Sequence, residues 1–341
     1  MKKILSVCIP TYNMEALLAR CLDSFIVEKD LMNLLEVIVV NDGSKDKSLQ
    51  IMNTYADKYP NTFIVIDKPN GNYGSCINAA LKVASGKYFR ICDADDHYDT
   101  QVLNEYIRSL LNTDADLTIN PYVICSFDGK VKNRQDTDEI DVNREISIND
   151  INWKDSRYKR FRAMHCLAVK TKNLTSHNYK QLEGISYTDT QFVFYATLYS
   201  ETCIFFEKPL YIYYLGRDGQ TMSPQSMIKS NMHFYQISIN ILDEYIKLPS
   251  TVSENKRFLL CDSVFSELYL FMVTILLNMK KSKMQQKLLV EAIELSEKAY
   301  HKDGIKKMMF TNIYFKLWYK YRIPQCIVRS LYQIRTRKYN L

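Results

Sequence analysis

Arg90-Ile91-Cys92-Asp93-Ala94-Asp95-Asp96-His97 ends an apolar run that rises from Lys87 and stops on three carboxylates within four residues. Anions that close repel one another unless a cation sits among them, so the cluster asks for a metal or a cationic ligand. Side chains two apart at a strand end share a face, which would let Asp93 and Asp95 share one target. Hard oxygen ligands favour Mg2+ or Mn2+, which keep open positions for water and substrate phosphates. The same stretch also fits a solvated acidic turn ahead of a helix capped by Asp99. Its neighbours along the chain decide between the two.

Upstream, Ile4 to Pro10 is a short apolar run ending on Pro10-Thr11-Tyr12-Asn13, and Leu17, Leu18, Cys21, Leu22 and Phe25 follow at helical spacing. Leu34 to Val40 is aliphatic without alternation, as in a strand covered on both faces, and it breaks at Asn41-Asp42-Gly43-Ser44. Ser44 is a candidate N-cap for a helix carrying Leu49, Ile51, Met52 and Tyr55. Thr62 to Ile66 reads as a third strand, Asn70 to Gly74 as a turn, and Ile77 to Val83 as a third helix. Four such alternations predict an α/β fold with a mostly parallel sheet flanked by helices, and ligands then bind beyond the carboxyl ends of the strands. Three polar ends, at Thr11 to Asn13, Asn41-Asp42 and Asp93 to Asp95, would meet in one crevice.

Downstream, Ala115 to Phe127 is a β-rich run that turns at Asp128-Gly129 into an expected hairpin. Residues 132–150 read as a polar insertion and Met164 to Val169 as a strand. A helix is expected after Asp189, closing strands at Thr202 to Phe206 and Leu210 to Tyr214, and a loop from Arg217 to Ser223. From Ser226 the pattern is helical. The expected domains are therefore 1–224, an α/β catalytic unit, and 225–341, a helical region with a basic, aromatic tail.

With 47% apolar residues over 341 positions the chain can bury a large core. Its nine cysteines form no CxxC and sit mostly in apolar runs, which points to a reducing compartment. Met1-Lys2-Lys3 leads straight into a strand pattern too short for a signal h-region, so no cleavable leader is expected. The apolar run Leu268 to Leu277 is about half of the roughly 20 residues that a membrane span needs, and is read as a buried helix. Residues 304–341 hold nine Lys or Arg and no Asp or Glu, so the net charge of +7 belongs to the tail, and nucleic acid is not an expected partner. Met308, Met309, Phe310, Ile313, Phe315, Trp318 and Tyr321 are interleaved with those cations. That pattern suits either an anionic membrane surface or a core-packed helix with a solvated basic face.

Five motifs carry a resemblance. Ser6 to Asn13, Glu36 to Ser44, Gly86-Lys87-Tyr88-Phe89, Asp93-Ala94-Asp95-Asp96 and Tyr187-Thr188-Asp189-Thr190-Gln191-Phe192 resemble, in order and spacing, family 2 of the glycosyltransferases with the GT-A fold. The resemblance covers residues 4 to about 223. It implies an inverting, cytoplasmic enzyme, at most peripheral on the inner face of the cell membrane. The donor would be a UDP-sugar, the acceptor a hydroxyl of a lipid-linked saccharide, and the product a surface polysaccharide, capsule or lipopolysaccharide. Pro10, Thr11, Tyr12, Asn13, Glu15, Asp42 and Asn70 would line the nucleotide. Asp93, Ala94 and Asp95 would meet the donor, with Asp95 and Asp93 holding Mg2+ or Mn2+, and Asp189 would be the general base. Two departures stand out: Thr188 replaces the usual Glu before the base, and Ile77 replaces an Arg, for which Arg217 is a candidate substitute. His97 and His165 are read as hydrogen-bonded structural residues. Contact of 305–341 with an anionic membrane and self-association into a homo-oligomer are compatible with the pattern. The competing reading is a non-catalytic nucleotide-sugar or membrane-binding scaffold on the same fold.

Overall fold

The computed structural model describes residues 2–216, 224–277, 283–299, 313–324, 326–328 and 330–331. The chain divides into two compact units, Met1–Asp218 and Gly219–Leu341. The first begins β1 (Leu5–Thr11), α1 (Leu18–Asp23), β2 (Leu35–Asn41), α2 (Ser48–Lys58), β3 (Phe63–Asp67), α3 (Asn72–Val83), β4 (Tyr88–Ile91). It continues with β5 (His97–Tyr98), α4 (Thr100–Leu110), β6 (Leu117–Ile119), β7 (Tyr122–Ser126), β8 (Val131–Arg134) and β9 (Glu145–Ser147). It ends with α5 (Ser156–Lys159), β10 (Leu167–Lys170), α6 (Thr171–Ser176), α7 (Asp189–Leu198), β11 (Thr202–Phe205) and β12 (Tyr211–Leu215).

An eight-stranded sheet runs β3-β2-β1-β4-β10-β6-β11-β9, and β1 pairs in parallel with β2 on one side and β4 on the other. Chain order therefore reverses at β1, which places a ligand crevice beyond the carboxyl ends of β1, β2 and β4. Every residue of β1 and β2 is buried, because helices cover both sheet faces. Leu5, Val7 and Ile9 join Leu22, Phe25, Leu103 and Ile107 in the core on one face. On the other face Cys8 meets α3, its thiol lying 3.9 Å from the Cys76 carbonyl oxygen. Glu36, buried on β2, accepts from Ser6 Oγ at 2.6 Å, Ser85 N at 2.9 Å and Ser85 Oγ at 2.6 Å, which fixes the turn into β4.

Several local expectations are corrected. β4 ends at Ile91, and Asp96 N–H donates to the Asp93 carbonyl at 3.0 Å, so residues 92–96 form a turn, and strand alternation does not align Asp93 with Asp95. Ser44 caps no helix, because α2 starts four residues later and Ser44 Oγ instead accepts from Asn13 N–H at 3.0 Å. α3 begins at Asn72, inside the expected turn. The β-rich run 115–127 is two strands in two sheets, since after Pro121 the chain leaves the large sheet for a smaller one ordered β5-β12-β7-β8. The hairpin at Asp128-Gly129 forms, with β7 antiparallel to β8, and Asp99 caps α4 through the N–H groups of Gln101 and Val102.

In the second unit, α8 (Pro224–Lys229), α9 (Asn231–Ile246), α10 (Glu254–Leu277) and α11 (Lys283–Ala299) are helical as expected. α10 is long and apolar enough to cross a membrane, and 61% of its most apolar window is buried within the protein. Phe234, Ile241 and Leu242 of α9 and Leu260, Val264, Leu268 and Phe271 of α10 are buried, and these two helices pack together. Eight of the nine cysteines are buried and all nine are free thiols.

The two sheets are linked by Asp96, whose Oδ2 accepts from Tyr211 Oη at 2.7 Å and whose Oδ1 accepts from Tyr214 N–H at 2.8 Å. Asp96→Ala strands both donors in a dry site, each worth about 1–3 kcal/mol, and should lower urea stability by about 2–4 kcal/mol. Asp96→Asn retains an acceptor for Tyr214 N–H and should cost well under half as much. Equal losses would show that packing, not these bonds, joins the sheets.

Candidate functional site

Asp42 follows β2 directly and is 3% exposed, too buried for an ordinary turn residue. Its Oδ1 takes the Lys68 ammonium and Gly71 N–H, the latter at 2.9 Å, while Asn70 Nδ2 donates to the Asp42 carbonyl at 2.9 Å. Lys68 Nζ also donates to Ser75 Oγ at 2.7 Å. Asp42 and Asn70 therefore shape the wall of the crevice, and Lys68, which the sequence reading missed, supplies a half-buried cation paired with Asp42 beside it.

The loops after β1 and β2 are stitched together. Asn13, held at φ 54°, accepts from Lys45 N–H at 2.8 Å, and Glu15 Oε2 accepts from Lys47 N–H at 2.9 Å. Thr11 is buried with its hydroxyl on the Ile9 carbonyl at 3.1 Å, Pro10 pairs with Val40 inside the sheet, and Tyr12 is 47% exposed at the rim. Asn13 and Glu15 thus fix the backbone of the crevice edge.

In the acidic turn, Asp93 Oδ1 accepts from Tyr73 Oη at 2.6 Å, and Asp93 N–H donates to Tyr211 Oη at 3.1 Å. The Asp95 carbonyl accepts from Arg20 Nη2 at 2.6 Å, and Arg20 stacks on Tyr214 at 4.1 Å. Ala94 is buried at 2% exposure, so the turn projects Asp93 and Asp95 from an anchored backbone. Burial, followed by the charges of Asp189 and Asp95, pushes Asp93 up to about 8. Asp189 occupies the first turn of α7, as expected, and burial pushes it up to about 6. Its charge also raises Tyr73 and Tyr213, which places Asp189 in one electrostatic neighbourhood with the turn.

His165, from the turn before β10, stands among Tyr122, Tyr211 and Tyr213 at ring separations of 5.5, 4.7 and 4.5 Å. Its buried Nε2 lacks a hydrogen-bond partner and lies 3.9 Å from Asp93 Oδ2; His97 Nδ1 is likewise unpartnered. Both histidines are partly buried, as expected, each with one ring nitrogen unpartnered, and His165 stands against the acidic turn. Burial holds both near 4, so they are neutral at pH 7. Arg217 lies outside the described residues. The aromatic run Tyr211 to Tyr214 was the available signal for the tyrosines that surround the turn.

The donor set fits a divalent cation. Asp93, Asp96 and His165 present ligand atoms within 4.8 Å of one another, and Asp93 is raised first by burial and then by the neighbouring charges of Asp189 and Asp95. Both oxygens of Asp96 are already engaged, which leaves Asp93 Oδ2 and the His165 Nε2 as the members of this group best able to hold one.

The parallel sheet reverses its strand order at β1, with a buried Asp beside the end of β2 and an acidic turn beside the end of β4, an arrangement typical of α/β proteins that bind ligands at a switch point. The model of glycosyl transferase family 2 matches residues 6–178, and the chain belongs to that family. An uncharacterized glycosyltransferase of Mycoplasma pneumoniae, the MG025 homolog, is 32% identical over 123 residues, 36% of this chain and 40% of the relative. The poly(ribitol-phosphate) beta-glucosyltransferase of Bacillus spizizenii is 34% identical over 116 residues, 34% of this chain but only 18% of the relative. The putative glycosyltransferase EpsH of Bacillus subtilis is 24% identical, covering 76% of this chain and 74% of its own length. Among solved structures, residues 1–349 of S. aureus TarS in complex with UDP-GlcNAc superpose with a TM-score of 0.69 at 20% identity, covering 97% of this chain and 91% of TarS 1–349. That likeness establishes the GT-A fold.

The raised carboxylates set a pH dependence. A carboxyl whose folded value lies above its unfolded value near 4 binds protons more tightly when folded, so stability declines as pH rises from about 4 through 8. In EDTA, Tm should fall from pH 5 to pH 8.5, Asp93→Asn should lessen the fall while Asp96, which burial also pushes up, retains part of it, and Mn2+ should restore Tm at the alkaline end. A flat profile would contradict this electrostatic picture.

Proposed function

We propose that the protein is an inverting, metal-dependent glycosyltransferase that moves a sugar from a UDP-sugar to a hydroxyl of a lipid-linked saccharide in cell-surface glycan assembly. The observation that carries the reading is the placement of Asp42, the Asp93 to Asp95 turn and Asp189 around the end of the parallel sheet. Asp189, raised to about 6, is mostly ionised at neutral pH yet basic enough to accept a proton. It takes the proton of the acceptor hydroxyl as that oxygen attacks the anomeric carbon. The bond to the UDP oxygen breaks on the opposite face, which inverts the centre. Asp95 and Asp93 would hold the divalent cation, which as a Lewis acid stabilises charge on the departing diphosphate. Asp42, with Asn70 and the loop of Pro10 to Asn13 and Glu15, forms the nucleoside side, and Lys68 and Arg20 take up part of the cationic role left open by Ile77.

The relative named for poly(ribitol-phosphate) glucosylation favours a wall polymer or comparable polysaccharide as the product. A chain of this family with a basic tail from Ile305 fits peripheral work at the inner membrane face, where lipid-linked acceptors are presented.

Incubated with Mn2+ and UDP-GlcNAc or UDP-glucose, the protein should release UDP, and Asp189→Asn or Asp95→Ala should lower that rate at least about 100-fold. Thermal stabilisation by a GDP-sugar but by no UDP-sugar would overturn the donor assignment, and absence of turnover with intact UDP binding would favour the scaffold reading. For membrane contact, the full chain should sediment with phosphatidylglycerol vesicles at low salt and be released as ionic strength rises. Failure to sediment with such vesicles would remove the membrane from the account.

A further inference from the structure

Asn78 lies on the face of α3 turned toward a segment 103 residues away in sequence. Its Nδ2 donates to the Gln181 carbonyl at 2.9 Å while its Oδ1 accepts from Gln181 N–H at 2.8 Å. One side-chain amide thus satisfies both backbone groups of a loop residue, as a neighbouring strand would. The same Nδ2 donates to Glu183 Oε1 at 2.8 Å. From Gln181 the connection runs on to the start of α7, because Gln181 Nε2 donates to the Thr188 carbonyl and Leu182 N–H donates to Gln191 Oε1 at 2.9 Å. Thr188 and Gln191 flank Asp189.

Two further features hold this segment against α3. A Cβ on Gly74 would come within 1.9 Å of the Leu182 carbonyl oxygen, so helix and loop touch backbone to backbone. Gly184 N–H donates at 2.9 Å to the carbonyl of Gly71, whose own N–H is bound to Asp42. Beyond them Tyr187 sits at φ 67°, a left-handed conformation that a bulky residue keeps only where the surroundings over-determine it. The pairing on α3 provides that determination two residues before Asp189.

We infer that Asn78 is a positioning residue: by clasping Gln181 it holds the segment 181–188, and with it Asp189, at a set distance from the nucleoside-side loop of Asp42. This rests on the reading of Asp189 as the base. Asn78 touches no reacting atom, and its effect falls on the attack geometry and not on donor affinity. A misplacement of about 1 Å at such a base costs on the order of 100-fold in rate.

The test compares the full-length protein with Asn78→Ala by UDP-sugar kinetics, calorimetry with UDP and Mn2+, and amide hydrogen exchange. Asn78→Ala should lower kcat about 10- to 100-fold, with KM for the UDP-sugar and Kd for UDP near wild type. Exchange should accelerate across 181–191 and stay unchanged in β1 and β2. Gln181→Ala added to Asn78→Ala should bring little further loss, since the two act as one unit. Wild-type kcat, unchanged exchange across 181–191, or a parallel loss of kcat, Kd and Tm would each overturn the inference. Should Asn78→Ala not fold, Asn78→Asp keeps the acceptor for Gln181 N–H, loses the two donated bonds, and is read the same way. If the wild-type chain turns over no UDP-sugar, glycosyl transfer fails as a reading, while the exchange measurement still decides whether the clasp holds the segment.

Discussion

The crowding of partly buried carboxylates is the constraint on which this site depends. Asp93 is pushed up to about 8 by burial and by the charges of Asp189 and Asp95. The fold brings these acids together from separate elements: the turn after β4 carries Asp93 and Asp95, and the first turn of α7 carries Asp189. Such an arrangement is unfavourable by itself, and a cation placed among the acids would relieve it. Local destabilisation of this kind is expected where a structure is built to bind.

The surroundings keep the acids from relaxing apart. Tyr73 and Tyr211 fix Asp93, Arg20 fixes the Asp95 backbone, and Asp96 spends both oxygens on β12 and so ties the smaller sheet to the turn. On the opposite wall Asp42 is the hub, gathering Lys68, Asn70 and Gly71. Gly71 then accepts from Gly184 N–H, so a single residue links Asp42 to the segment that leads to Asp189. Hydrogen bonds thus brace both walls of the crevice and the start of α7.

Much of this was legible from short-range pattern. The unalternating run of β2, the Asp99 cap, the Asp128-Gly129 hairpin and the helix at Asp189 each follow from local periodicity or turn chemistry. What escaped was decided by partners distant in sequence. Ser44 has the composition of a cap, but its hydroxyl is claimed by Asn13, 31 residues away. Arg90 looks like an ordinary charge inside a strand, yet it is fully buried, bonded to Asn120 Oδ1 at 2.9 Å and to the His165 carbonyl at 2.7 Å. Leu117 and Tyr122 belong to one β-rich run in sequence and to two sheets in space. The contacts of Lys68, Tyr73 and Asn78 have no local signature, because each is defined by what lies across the crevice.

The most direct measurement is the number of protons exchanged when Mn2+ and UDP bind, obtained by calorimetry at pH 7 in buffers of different ionisation enthalpy. A cation that requires ionised ligands must displace the proton that Asp93 holds at that pH, so about one proton should be released, and Asp93→Asn should abolish the release. Tight binding with no proton release would contradict the claim that the acidic turn is a strained site awaiting its cation.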